Sequence, residues 1–149
     1  MSTAHLACAP ENVEDSLNEA EALCLKRGGR LTPLRRRVLT LLLESPEPAK
    51  AYDLLDKLGS TGAAKPPSVY RSLEFLLEMG LALRIESLNA FVACGHWDHG
   101  HAAVFLICDR CGSAGELHPD NALRVLKSEV SSVGFEMRNA VIEIRGLCA

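Results

Sequence analysis

"KPPSVYRSLEFLLEMGLALRIESLNAFVAC", residues 65–94, is the stretch on which the fold turns. Pro66 and Pro67 set the start of a helix, because proline suits the first helical turn. Gly80 sets its stop. Val69, Leu73, Leu76 and Leu77 recur at helical spacing and predict a buried stripe. Ser68, Arg71 and Ser72 lie off that stripe, near the N-terminal end. Then "ALRIE" (82–86) and "AFVAC" (90–94) read as β-like runs joined by the polar turn "SLN" (87–89), which is a hairpin.

Upstream, "NVEDSLNEAEALCLKR" (12–27) reads as a helix with acids early, bases late and Gly28-Gly29 after it. In "LTPLRRRVLTLLLES" (31–45), Thr32 is the expected N-cap and Pro33 the first helical residue. Leu34, Val38, Leu41 and Leu42 form one helical stripe. "AYDLLDKL" (51–58) reads as a third helix and "GSTGAAKPP" (59–67) as a loop. Three helices, a short helix with polar residues at its start, then a hairpin is the order of a winged helix-turn-helix. The helix starting near Pro67 is then the recognition helix, and 82–94 the wing. A helical bundle with a structural hairpin fits the same order.

Beyond Cys94 the character changes. "HAAVFLIC" and "GELH" read as strands, and "PDNALRVLKSEVSSVG" as a helix with Asp120 as N-cap and Gly134 as stop. Leu123, Leu126, Val130 and Val133 line its apolar face, and "VIEIRGLC" is a last strand. The expected fold class is therefore α+β: a winged helix-turn-helix over 1–88, then a small α/β domain over 89–149. That second domain is small enough to need a metal or a second subunit for support.

Composition is globular, with 48% hydrophobic and 23% charged residues, and no apolar run approaches the roughly 18 residues of a membrane span. The N-terminus lacks a basic start followed by an apolar run, so a cytoplasmic protein is expected. Six cysteines in a reducing compartment are more naturally thiols or metal ligands than disulfides. The net charge is −3, yet the charges are segregated. Ala22 to Leu43 holds no acid but carries Lys26, Arg27, Arg30, Arg35, Arg36 and Arg37. A basic face can therefore exist on an acidic protein, although a solvated helix face explains the same residues.

The segment "CGHWDHGHAAVFLICDRCG", residues 94–112, concentrates three of the cysteines and three of the histidines. Cys108-Asp-Arg-Cys111 followed by Gly112 is the C-x2-C knuckle of structural zinc sites. A redox pair is the rival, but such motifs precede a helix, and here strands lie on both sides. Thiolates favour zinc over harder cations. Cys148 is the natural third ligand, carried by the last strand; the fourth is not visible. A second set comprises Cys94, His96, His99, His101, Glu116 and His118. A mixed sulfur, nitrogen and oxygen set suits a more exchangeable zinc. No H-E-x-x-H, deaminase pair, phosphate loop or G-x-S-x-G is present, so enzyme activity and a small-molecule substrate are not expected.

"RLTPLRRRVLTLL", "AYDLLDKL", "KPPSVYRSLEFLLEMGL" and "CDRCG" resemble the ferric uptake regulator family. "FLICDRCG" and "VIEIRGLCA" resemble its zinc uptake regulator branch, and the likeness runs from about residue 14 to the C-terminus. The resemblance implies a homodimer that binds a palindromic double-stranded DNA operator and represses zinc-uptake genes when loaded with zinc, two ions per subunit. It implies DNA contacts from Tyr70 and Arg71, where Arg71 can hold guanine O6/N7 and Tyr70 a thymine methyl or phosphate. Lys65, Ser68, Arg35, Arg36 and Arg37 complete the expected DNA-binding set, the basic residues as phosphate partners. It implies structural zinc on Cys108, Cys111 and Cys148, and regulatory zinc on Cys94, His101 and Glu116. Two departures follow. The second cysteine of the family's C-terminal pair would fall at position 151, and Leu83 stands where many members carry a regulatory His or Asp. His96 or His99 would then substitute. An iron, manganese or peroxide sensor on the same fold, or a zinc-stabilised interaction module without DNA function, are the alternatives.

Overall fold

A computed structural model describes residues 12–45, 47–59, 65–93, 102–117, 119–137 and 140–149. The described chain falls into two units, one before residue 94 and one after residue 101.

In the first unit α1 (Val13–Lys26) opens on Asn12, whose Oδ1 accepts from the Asp15 N–H at 3.2 Å. This cap satisfies one of the free N–H groups of the first turn. Helix α2 (Pro33–Glu44) begins at Pro33 behind Thr32, which has extended backbone but makes no side-chain cap bond. Its buried face is wider than the expected stripe: Val38, Leu39, Leu42 and Leu43 are buried, while Leu34 and Leu41 are half-buried. Strand β1 (Ala49–Lys50) leads into α3 (Ala51–Gly59), which buries Leu54 and Leu58. Helix α4 (Pro66–Glu78) buries Val69, Leu73 and Leu76 against α2 and α3. Gly80 ends it in a left-handed conformation, φ 74°, and the Leu81 N–H reaches back to the Leu76 carbonyl at 2.9 Å. Ser72 was expected off the buried stripe, but it is buried. Its Oγ donates to the Ser68 carbonyl at 2.9 Å, so the hydroxyl is satisfied within the helix.

The hairpin follows as β2 (Leu83–Ile85) and β3 (Ala90–Val92), joined by a 3-10 turn over Glu86–Leu88 and a left-handed Asn89 at φ 47°. Asparagine tolerates that conformation better than most residues. Strand β3 lies in the centre of a three-stranded antiparallel sheet, order β1-β3-β2. A boundary at residue 88 would cut this sheet. The pairing of Ala90 with Ile85 and with Lys50 keeps β3 in the first unit.

Arg36 fastens α1 to α2. Its guanidinium donates to Glu14 at 2.6 Å, to Asn18 at 3.2 Å and to Glu21 at 3.4 Å. Cys24, on α1, is fully buried among apolar side chains, and burial pushes its thiol above the usual value. It packs as a small apolar residue.

The second unit holds β4 (Ala102–Cys108), β5 (Ala114–Leu117), α5 (Asp120–Ser132) and β6 (Ala140–Gly146). The sheet order is β5-β4-β6, with β4 antiparallel to β5 and parallel to β6. Register places Val104 and Leu106 beside Ile142 and Ile144, with Leu117 beside Val104. On the opposite face Phe105, fully buried, is flanked by Glu116 and Glu143. Asp120 is the first helical residue of α5 rather than its cap; Pro119 precedes it with no side-chain cap bond. Of the expected apolar face, Leu123, Leu126 and Val130 are half-buried and Val133 is exposed. No residue of α5 is buried within the protomer.

Leu39 is fully buried in the centre of the first unit, whereas Leu25 is 66% exposed. Leu39→Ala is expected to cost about 2–5 kcal/mol and Leu25→Ala less than about 0.5 kcal/mol. Denaturant titration reads this as a fall in midpoint, at unchanged slope, for the first variant alone.

Candidate metal centre and nucleic-acid face

Strand β4 delivers Cys108 at its last position, and the chain turns back over Asp109–Cys111 into Gly112. Gly112 takes φ 72°, the left-handed conformation expected of the residue after the knuckle, and its N–H donates to the Cys108 carbonyl at 2.9 Å. The parallel register pairs Cys108 with Gly146, so Cys148 emerges beside the knuckle. The three sulfurs all lie within 4.8 Å of one another, with Cys108–Cys148 at 3.4 Å and Cys111–Cys148 at 3.7 Å. An ion about 2.3 Å from each thiolate in a tetrahedron would set sulfur–sulfur edges of about 3.8 Å. The three thiols therefore fit zinc in spacing and in ligand chemistry. Among the described residues they are the one group of three or more ligating side chains able to hold a metal.

The surroundings prepare the site. The Cys111 and Cys148 N–H groups point at the Cys108 sulfur at 3.5 and 3.4 Å. The Cys148 N–H, then that of Cys111, holds the Cys108 thiol down at about 6, against the opposing effect of burial. Cys148 is pushed up to about 11, chiefly by its hydrogen bond to Cys108 and then by that to Cys111. Within the trio ionisation is thus easiest at Cys108 and hardest at Cys148. Asp109, inside the knuckle, ties it to β6. Its N–H donates to the Gly146 carbonyl at 2.8 Å, and its carboxylate accepts from Arg145 Nε and Nη2 at 2.9 and 2.7 Å. Sequence reading missed this pair. The signal was an acid between two ligands and a base three residues before the third, but only the strand register shows that they meet.

Of the second ligand set, Glu116 sits half-buried on β5. Cys94, His96, His99, His101 and His118 lie outside the described residues. Leu83 stands half-buried on β2 and offers no donor atom.

On the first unit, α4 presents Tyr70 and Arg71 to solvent one turn from its start, with Lys65 exposed just before and Ser68 half-buried. The three successive arginines of α2 are not equivalent. Arg36 is taken up by Glu14, Glu21 and Asn18. Arg35 stacks on the Phe75 ring, 3.8 Å from its centroid, and donates to the Arg30 carbonyl at 2.8 Å. Arg37 is exposed.

A model of the ferric uptake regulator family matches residues 26–145. The chain is 41% identical over 138 residues to the zinc uptake regulation protein of Escherichia coli K12, covering 91% of this chain and 81% of that protein. A solved structure of a zinc uptake regulator complexed with zinc and DNA matches with TM-score 0.75 and 40% identity, over 94% of this chain and 95% of the other. Holo XcZur matches with TM-score 0.71 and 43% identity, over 91% and 95% of the two chains.

Zinc requires ionised thiols, so it must displace the Cys148 proton at any pH below about 11. Binding at this site is expected to release at least one proton at neutral pH, with affinity rising as pH rises. Affinity should fall more steeply below about 6, where Cys108 is protonated as well. Calorimetry in buffers of different ionisation enthalpy measures the release; a heat independent of buffer contradicts it.

Proposed function

The chain belongs to the ferric uptake regulator family, and from that premise we propose that it is a zinc-responsive repressor of zinc-uptake genes, binding a palindromic operator as a zinc-loaded homodimer. The observation that supports this reading is the exposed Tyr70–Arg71 pair in the early turns of a winged-helix α4, in a chain that also brings three thiols together at a spacing that fits zinc. It acts as a transcriptional regulator in the cytoplasm, not as an enzyme. No helix among the described residues is long and apolar enough to cross a membrane.

Arg71 has the length and planar fork to hold guanine O6 and N7 in the major groove, and Tyr70 beside it can meet a thymine methyl or a phosphate. Lys65 and Arg37, both exposed, and Ser68 at the helix start are suited to phosphate oxygens. Arg36, occupied by two carboxylates, holds α1 in place instead.

The second unit supports a dimer. Leu106, Ile144 and Leu117 are exposed on one face of its sheet, and Val125 and Phe135 are exposed on or just after α5. Such an apolar surface calls for a partner, and a second copy of the chain supplies it. A dimer places two recognition helices against two half-sites.

Two zinc ions per subunit have distinct duties in this reading. Cys108, Cys111 and Cys148 hold the structural ion. Cys94, His101 and Glu116, with His96 or His99 in the place Leu83 leaves, hold the exchangeable one. When bound, zinc supplies a rigid cross-link between ligands distant in sequence. Any factor by which zinc raises operator affinity must equal the factor by which operator raises zinc affinity.

Elemental analysis before and after mild chelation should find two zincs per subunit, one of them easily removed. Adding zinc to the stripped dimer should restore operator binding; restoration by iron or manganese and not by zinc would overturn the assignment. Arg71→Ala should weaken operator binding by about 1–3 kcal/mol and relax preference at one base pair. A purely structural module predicts no operator effect from that change.

A further inference from the structure

The exposed side of α4 is a single stripe. Pro67, Tyr70, Arg71, Glu74 and Glu78 all face solvent, at the spacing that places them along one line of the helix. The first three fit a helix that enters a groove lined by phosphates. Glu74 does not: its carboxylate stands one turn after the Tyr70–Arg71 pair, on the side of α4 that would face the phosphate-lined groove. Among the described residues no ion pair or hydrogen bond of its side chain offsets that charge, and Arg71, three positions earlier, is not bonded to it.

Carried into the groove, such a carboxylate weakens DNA binding unless a base donates a hydrogen bond to it. Major-groove donors are the cytosine N4 and adenine N6 amines. The adenine amine has the N7 acceptor beside it, which repels a carboxylate. Cytosine N4 has no acceptor on that side within its own base. Glu74 lies about 4.5 Å further along the helix axis than Arg71, and successive base pairs are about 3.4 Å apart. The base it meets is therefore within one or two steps of the guanine held by Arg71. Glu78, a further turn along, belongs to the part of a recognition helix that leaves the base edges.

We propose that Glu74 is a specificity-determining residue that reads a cytosine N4 amine in each operator half-site, within one or two steps of the guanine read by Arg71. The proposal rests on the operator-binding function argued above. Glu74 then does two things at once. It rewards cytosine with a charge-assisted hydrogen bond, and it penalises guanine and thymine, whose O6 and O4 would face it acceptor to acceptor.

The test starts with the zinc-loaded full chain, selected against a pool of randomised duplexes. The best site is then titrated against each of its single-base-pair variants. For the unmodified protein, replacing the cytosine should cost about 5- to 100-fold in affinity. Glu74→Ala should remove that preference and leave the guanine preference owed to Arg71 intact. Glu74→Gln should move the preference to adenine, whose N6 and N7 match a side-chain amide. Glu74 is exposed, so equal melting temperatures are expected for all three proteins. If Glu74→Ala strengthens binding to every variant equally, or leaves every preference unchanged, the Glu74 assignment fails while the regulator reading stands. If the unmodified protein selects no sequence at all, both fall.

Discussion

The thiol cluster depends on one pairing, the parallel ladder between β4 and β6. Parallel strands end on the same side of a sheet. With Cys108 opposite Gly146, the turn after β4 and the tail after β6 must therefore meet. A one-residue slip would send alternate side chains to the wrong face. It would also break the bond from the Asp109 N–H to the Gly146 carbonyl and misalign Arg145 with Asp109. Two backbone N–H groups already aim at the Cys108 sulfur in this register. The same donors that stabilise a thiolate are the groups that orient a metal-bound sulfur, so the ladder sets both the position and the ionisation of the first ligand.

In the first unit α4 answers to two constraints at once. Its inner face is fixed by Val69, Leu73 and Leu76 packing against α2 and α3, and Gly80 closes it where the wing must begin. Rotation about its axis is thereby set, and with it the direction of Tyr70, Arg71 and Glu74. Buried Ser72 sharpens this. Its hydroxyl turns back to the Ser68 carbonyl, so this small polar residue serves the backbone of its own helix, and the long side chains reach outward.

Local order was readable in the sequence, and long-range order was not. Helix starts at Pro33 and Pro66, the stop at Gly80, the wing hairpin and the C-x2-C turn all depend on neighbours a few residues apart, where proline, glycine and periodicity carry the information. Strand β1 escaped notice because two residues show no alternation. The expected boundary at residue 88 fell inside the wing hairpin itself, between the paired strands β2 and β3, and β1 ties β3 further into the first unit. The meeting of Asp109 with Arg145 needed a register across 36 positions. The thiol site was legible as a pair plus a distant third, since cysteine spacing is a strong signal. The mixed His and Cys set could be named but not assembled, because strand alternation assigns faces within a strand and not across a chain.

A net charge of −3 is compatible with binding DNA because the acids and bases of this chain are segregated along the sequence. The acids of α1, which carry the same sign as nucleic acid, are partly consumed: Glu14 and Glu21 grip Arg36. That grip removes one arginine from the phosphate-facing inventory and offsets one of the two carboxylate charges at the same time. Lys65, Arg37 and Arg71 remain exposed and close in sequence to the starts of α2 and α4. Phosphate fields are felt over roughly 8 Å at physiological salt. The relevant quantity is thus the charge that α4 itself carries, where Glu74 and Glu78 stand against Arg71, and Glu74, one turn after Arg71, is the nearer of the two to the base-reading end.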